Sequence, residues 1–295
     1  MQFIDVKGGG RTPVLGLGTA RLRGRECTHA VRIALDLGYR HIDTAESYAN
    51  EREIGEAIAA SGVDRAELFV TTKIWPSHFR ALDARQAAET SLRNLRMDHV
   101  DLLLMHFPNE SVPLEETLGA LAALAEAGKA RAIGVSNFST PLLEKAIAAC
   151  PAPIACDQVR YHVGYDQSQL LAFARPRGIF IIAYSPLGVG SLAHLTVLKE
   201  IARKHDKNPA QIALRWLIEQ DGVMAIPKAT NQRHLQANID VFDFALDGED
   251  RARLDKATGP GAFARLACLS RHALSRFARI LGLKRVSQKV VGLGW

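Results

Sequence analysis

Apolar residues recur along this chain in two rhythms that take turns. Short continuous apolar runs bounded by Gly, Pro or charge predict strands. Stretches with apolar residues three and four positions apart predict helices. The runs at 15–18, 39–43, 69–73, 100–106, 132–136, 155–159, 180–185 and 223–228 give eight strand candidates. Most lack the alternation of a half-exposed sheet, so they suit strands covered on both faces. Between them, 25–37 puts Ala30, Val31, Ala34 and Leu35 on one helical face and stops at Gly38. The helix predicted over 113–127 has a Pro near its start and Gly128 at its stop. Over 209–218 the start is clearest: Asn208 as N-cap, Pro209 in the first turn and Gln211 completing a capping box. Trp216 lies on the apolar face of that helix and reads as core. Ahead of the series, 2–6 and 11–15, joined through Lys7-Gly8-Gly9-Gly10, predict a short β-hairpin. Eight strand–helix units without a domain-splitting linker predict an α/β fold closed into a parallel (β/α)8 (TIM) barrel over 1–259. The full length of 295 residues is near the roughly 250 typical of that fold.

The polar residues fall where such a barrel would use them. The predicted strands end at Asp43, Lys73, His106, Ser136-Asn137, Gln158, Tyr184-Ser185 and Lys228. In a (β/α)8 barrel those ends share one rim, the face on which active sites are built. Taken singly, each has a plain structural explanation: Lys73 a solvated lysine, His106 a hydrogen-bonded core histidine, Asn137 and Gln158 loop caps. Their coincidence on one rim argues for a site. Around 41–51, a strand ends at Asp43 and Tyr48 follows in the loop, which sets a phenol near a charge that can tune it.

Composition narrows the class. With 47% hydrophobic and 23% charged residues the chain is ordinary for a globular domain with a large core. Cys27, Cys150, Cys156 and Cys268 form no CxxC pair and no metal-ligand spacing, so free thiols in a reducing compartment are expected. No signal-peptide pattern opens the sequence, and no apolar stretch reaches the ~20 residues that span a bilayer. A cytoplasmic enzyme is the expectation. Residues 261–295 hold seven Lys/Arg and no acid, more than the whole net charge of +6, so the rest of the chain is slightly acidic. The extension over 260–295 interleaves Phe263, Leu266, Leu269, Leu274, Phe277, Ile280 and Leu281 with arginines. That predicts a basic amphipathic helix packed on the barrel, with a surface for an acidic partner or anionic membrane, disorder or an altered lid as the alternatives. No nucleic-acid partner is expected.

The motifs resemble the aldo-keto reductase family from about Val14 to Leu254. They are Gly16-Leu17-Gly18-Thr19, Asp43-Thr44-Ala45 through Tyr48 to Asn50-Glu51, and Thr72-Lys73-Ile74-Trp75. Leu104-Met105-His106, Gly134-Val135-Ser136-Asn137-Phe138, Tyr184-Ser185-Pro186-Leu187-Gly188 and Ile226-Pro227-Lys228 continue the series. Within the family the chain looks closest to the bacterial branch of 2,5-diketo-gluconate and methylglyoxal reductases.

The resemblance implies NADPH-dependent reduction of aldehydes and ketones. Tyr48 would be the general acid, Lys73 its tuner, Asp43 the partner of Lys73, and His106 the group that orients the carbonyl. An ammonium beside a phenol of pKa about 10 stabilises the phenolate and lowers that value. No side chain supplies a hydride, and no GxGxxG follows the first strand, so the dinucleotide would lie across the barrel rim. Tyr184 would stack on the nicotinamide, with Ser136, Asn137 and Gln158 on its carboxamide. The backbone from Ser185 through Leu187 and Gly188 to Gly190 would wrap the pyrophosphate. Lys228 would meet the adenosine 2′-phosphate, and Thr230 and Asn238 complete the cofactor set. Ala229 stands where many members have Ser, and the family's phosphate-binding arginine position falls on His234, with Arg233 beside it. A neutral imidazole lacks the two-pronged grip of a guanidinium, so NADPH preference with relaxed discrimination is expected. Trp75 and Phe107 would wall an apolar substrate pocket. A small-molecule carbonyl is the expected partner, and monomer the expected state. Two other readings compete: a non-catalytic nicotinamide-binding regulatory subunit, and a metal-dependent isomerase or hydrolase. The intact Asp43, Tyr48, Lys73 and His106 set opposes the first. The ammonium of Lys73 opposes a cation and so the second, and no metal is expected.

Overall fold

The computed structural model describes residues 2–7, 10–188, 192 and 195–258. The expectations for the 260–295 extension, Cys268 and Gly190 lie outside those residues. The chain opens on an antiparallel hairpin, β1 (Phe3–Val6) against β2 (Gly10–Pro13), with Val6 opposite Gly10. Eight parallel strands follow in sequence order: β3 (Leu17–Gly18), β4 (His41–Asp43), β5 (Phe69–Ile74), β6 (Val100–Met105), β7 (Ala130–Ser136), β8 (Ile154–Arg160), β9 (Phe180–Tyr184) and β10 (Val223–Ala225).

The two ends of this sheet meet. Leu15 bridges Ala225 in parallel, and the backbone N–H groups of Gly16 and Gly18 donate to the carbonyls of Ala225 and Pro227 at 2.9 and 3.1 Å. Closure requires a glycine: a Cβ on Gly18 would sit 2.7 Å from the Ile226 carbonyl oxygen. The expected strands at 15–18 and 223–228 are thus shorter, because at the seam much of their backbone pairs without regular ladder geometry. Their hydrogen bonds are satisfied all the same.

Helices cover the outside of the barrel: α1 (Gly24–Asp36), α2 (Glu51–Ala59), α3 (Ala81–Leu95), α4 (Leu114–Glu126), α5 (Thr140–Ala149), α6 (Ser168–Ala174), α7 (Thr196–Lys204), α8 (Pro209–Ile218), α9 (Gln232–Ile239) and α10 (Gly248–Thr258). The capping box at α8 is complete, with Gln211 N–H donating to Asn208 Oδ1 and Asn208 N–H to Gln211 Oε1, each at 3.0 Å. Trp216 is buried and donates from Nε1 to Asp255 at 2.8 Å.

The strands supply two cores at once, which is why their runs are continuous. Outward side chains such as Val70, Leu103 and Met105 pack beneath the helices. Inward ones, including Leu102, Leu104, Phe180, Ile182 and Met224, fill the barrel. Val6 of the hairpin joins the inner cluster with Phe69 and Phe180, which begin their strands. The hairpin therefore plugs the N-terminal mouth, and the opposite mouth is left for chemistry.

Candidate active site

Asp43, the last residue of β4, and Lys73, near the end of β5, are both buried to within 2%. Lys73 Nζ donates to Asp43 Oδ1 at 2.6 Å and to the Thr44 carbonyl at 2.7 Å. The other carboxylate oxygen accepts from Gln158 Nε2 at 2.7 Å, so each oxygen of Asp43 has its donor. Burial pushes the Asp43 carboxyl up, and Lys73 and Gln158 oppose it. Burial works against the Lys73 ammonium too, yet Asp43 and Tyr48 outweigh it and hold Lys73 above its ordinary value. The ion pair is the form this geometry holds, since an unpaired charge at such depth is costly.

Tyr48 stands over that pair. It ends a 3-10 turn (Glu46–Tyr48) and is followed by Ala49 in the left-handed region, at φ 50°. Its ring centroid lies 5.1 Å from Lys73 Nζ, so the ammonium stands against the phenol ring. Lys73 pulls the phenol down as expected, but burial is the larger effect and the net direction is upward. The difference is informative. A phenol held above its ordinary value keeps its proton at neutral pH, as any general acid must.

His106 follows β6, facing Tyr48 with ring centroids 5.6 Å apart. Its Nδ1 lies 3.4 Å from Ser47 Oγ. Burial first, then the charge of Lys73, pushes the imidazole down to about 3. His106 is therefore neutral across the physiological range. We expect log(kcat/KM) to show no His106 ionisation between about pH 5 and about pH 8. An inflection near the ordinary histidine value that disappears in His106→Gln would refute this.

From this centre a polar network runs around β7, β8 and β9. Ser136 Oγ donates to the Gln158 carbonyl at 2.7 Å. Asn137 Nδ2 reaches Ser136 Oγ and the His106 carbonyl, and its Oδ1 accepts from Tyr184 OH at 2.8 Å. Asn137 and Ser185 both sit at positive φ, 65° and 48°, directly after β7 and β9. Non-glycine residues held there are strained and gather at functional sites. Tyr184, half-buried over the inner core, has its phenol pushed up to about 12 by burial, against Arg160. Gly188 N–H donates to the Ser185 carbonyl at 2.9 Å, forming a tight turn after Leu187.

Trp75 and Phe107 form the opposite wall. Trp75 meets His106 edge-on at 5.1 Å and Phe107 at 5.8 Å, while Phe107 stacks on His106 at 5.1 Å. Farther out, Lys228 is exposed three residues beyond β10, and Thr230 is half-buried. Arg233 and His234 lie exposed in the first turn of α9, where Asn231 Oδ1 accepts from His234 N–H, and Asn238 is buried on the same helix.

Some residues escaped the sequence reading. Asn50 donates to the Thr19 and Leu22 carbonyls and accepts from Thr44 Oγ1, tying the loop after β3 to the one that carries Tyr48. Buried Glu51 accepts from Thr72 Oγ1 at 2.6 Å, beside Lys73. Burial pushes the Glu51 carboxyl up. The signal for both was present: polar residues fixed in a motif that assigned them no chemistry. Arg160 was also missed, because the strand expected to stop at 159 runs one residue further.

The profile of the Aldo/keto reductase family matches residues 14–258. The 9,11-endoperoxide prostaglandin H2 reductase of Trypanosoma cruzi is 43% identical over 250 residues, covering 83% of this chain and 88% of that protein. A methylglyoxal reductase of Escherichia coli O157:H7 is 41% identical over 242 residues, 81% of this chain and 90% of that protein. An aldo/keto reductase structure from Brucella melitensis is similar at TM-score 0.82 and 40% identity, covering 86% and 97% of the two chains. The aldose reductase of Schistosoma japonicum is similar at TM-score 0.83 and 32% identity, with coverage of 88% and 92%. Fold, mouth and relatives agree: the chain belongs to the aldo/keto reductase family and is an oxidoreductase that reduces carbonyl groups.

Proposed function

We propose that this enzyme reduces small aldehydes and ketones with NADPH, using Tyr48 as the proton donor. The reading rests on one observation above all. A fully buried Lys73, salt-bridged to Asp43, stands beneath a half-buried phenol and next to a neutral His106. A structural core has no use for that arrangement, and a purely binding protein has no need of a proton-transfer set.

The chain fits a nicotinamide dinucleotide along its rim. Tyr184 offers a ring face at the mouth, and the Ser136–Asn137–Gln158 network brings donors and acceptors to the same edge. Lys228 and Arg233 are exposed near the N-terminus of α9, with no ion-pair partner among the described residues, which suits a phosphate. When bound, the nicotinamide supplies the hydride. Tyr48 then delivers its proton to the carbonyl oxygen, and Lys73 stabilises the phenolate formed. Neutral His106 donates a hydrogen bond that orients the carbonyl. Trp75 and Phe107 keep water from one side of the pocket. The curated relatives, named as methylglyoxal and prostaglandin H2 reductases, support small reactive carbonyls as substrates. The unpaired thiols of Cys27, Cys150 and Cys156 support a reducing compartment, the cytoplasm, and a monomer is proposed with it.

The test is oxidation of NADPH and of NADH, followed at the nicotinamide absorbance, with methylglyoxal, an aromatic aldehyde and a keto-sugar. Turnover of at least one is expected, with kcat/KM higher for NADPH by about 10–100-fold, the worth of charge-assisted phosphate contacts. Equal efficiency with NADH would remove the NADPH preference. Tight NADPH binding without turnover of any carbonyl would remove the catalytic assignment.

A further inference from the structure

Several of the described polar side chains lining the mouth from Asp43 to Tyr184 hold one another. Asp43 is engaged by Lys73 and Gln158, and Asn137 by Tyr184 and Ser136. Arg160 is not so engaged. It ends β8, is half-buried, and pairs in register with Tyr184, whose ring lies on the inner core. It also follows Gln158 by two positions, and Gln158 reaches inward to Asp43. Both relations put the Arg160 side chain on the strand face that turns into the mouth.

Its guanidinium is left in need of an anion. Nε is buried without a hydrogen-bond partner, and among the described residues no carboxylate stands within ion-pair distance. The Tyr165 ring lies 5.6 Å from Arg160 Cζ, which orients the cation without neutralising it. A partly desolvated charge with an orphaned donor is unfavourable until an acceptor arrives.

We propose that Arg160 binds the diphosphate bridge of the nicotinamide dinucleotide. The proposal rests on the cofactor reading above. With the ring on Tyr184 and the carboxamide toward Ser136, Asn137 and Gln158, the chain leading to the phosphates leaves over the ends of β8 and β9. There Arg160 pairs in register with Tyr184, the residue directly before the turn at Ser185, Leu187 and Gly188. The planar guanidinium fork matches two phosphate oxygens. A substrate carboxylate is the competing anion, but the substrate-facing residues Tyr48, Trp75, His106 and Phe107 follow β4 to β6, across the mouth.

Equilibrium binding of NADPH, NADH and reduced nicotinamide riboside to wild type, Arg160→Met and Arg160→Lys separates these cases. Arg160→Met is expected to weaken NADPH and NADH by the same factor, about 10–100-fold, and to leave the phosphate-free riboside unchanged. Arg160→Lys is expected to keep part of the affinity. If Arg160→Met binds NADPH as wild type does, the proposal is overturned and the cofactor reading stands. It is likewise overturned if only carboxylate-bearing aldehydes lose turnover, which would assign Arg160 to the substrate. A wild type that binds no dinucleotide overturns the cofactor reading itself. Thermal melting of the cofactor-free variants checks the fold, and a misfolded Met variant leaves the Lys variant to decide by its intermediate affinity; Lys binding equal to wild type then counts against the proposal.

Discussion

Replacing Tyr48 by Phe is expected to lower kcat by about 10²–10⁴-fold, the usual contribution of a positioned acid, or roughly 3–5 kcal/mol of barrier. NADPH affinity and melting temperature should hardly move. The ring that packs edge-on against His106 remains, and Lys73 keeps Asp43 and the Thr44 carbonyl when the phenol is gone. Only the proton, and the phenolate that Lys73 would stabilise, are lost. Stopped-flow hydride transfer alongside a binding titration makes the check direct. A variant that retains a tenth or more of wild-type kcat would show that the acid lies elsewhere. A variant that loses NADPH affinity as well would show that the hydroxyl binds rather than reacts.

Asp157→Asn is expected to stabilise the protein, by an amount that grows with pH. Asp157 lies in β8 beside Val135 of β7 and is fully buried. Its Oδ1 accepts only a long 3.4 Å bond from Phe138 N–H, and its Oδ2 has no partner. Burial pushes the carboxyl up from 3.8 to about 8. The sign follows from linkage. Below the unfolded value both states hold the proton and nothing is lost. As pH rises toward the folded value, only the unfolded state releases its proton, so stability falls with each unit. At about 1.4 kcal/mol per unit, the loss by neutral to mildly alkaline pH is on the order of 4 kcal/mol. Asn is neutral throughout and escapes it. Urea unfolding at pH 4 and at pH 8 is the measurement. The two proteins should be close at the lower pH, with the variant clearly ahead at the higher. A difference independent of pH, or a wild type that is the more stable at pH 8, would show that Asp157 has a partner or remains hydrated.

Sequence by itself determined the strand order, the rim on which the polar strand ends gather, and the residues proposed here as the proton-transfer set. Continuous apolar runs identify strands covered twice over, and polar residues at their ends have one shared face to go to. Asp43, Lys73, Tyr48 and His106 could be named because each belongs to a local motif whose strand or loop is short and well bounded. Tertiary structure alone decided how their charges settle. The upward shift of Tyr48, the neutrality of His106 and the double hold on Asp43 depend on burial and on Gln158, which is 115 positions away in the chain. The seam between β3 and β10 was likewise beyond reach, since Gly18 reads as a strand end until Ile226 approaches it. Arg160 and Asp157 were invisible for the same reason. An arginine or a buried carboxyl in a strand looks ordinary in sequence, and what each of them lacks is a partner, which only the packed neighbours can reveal.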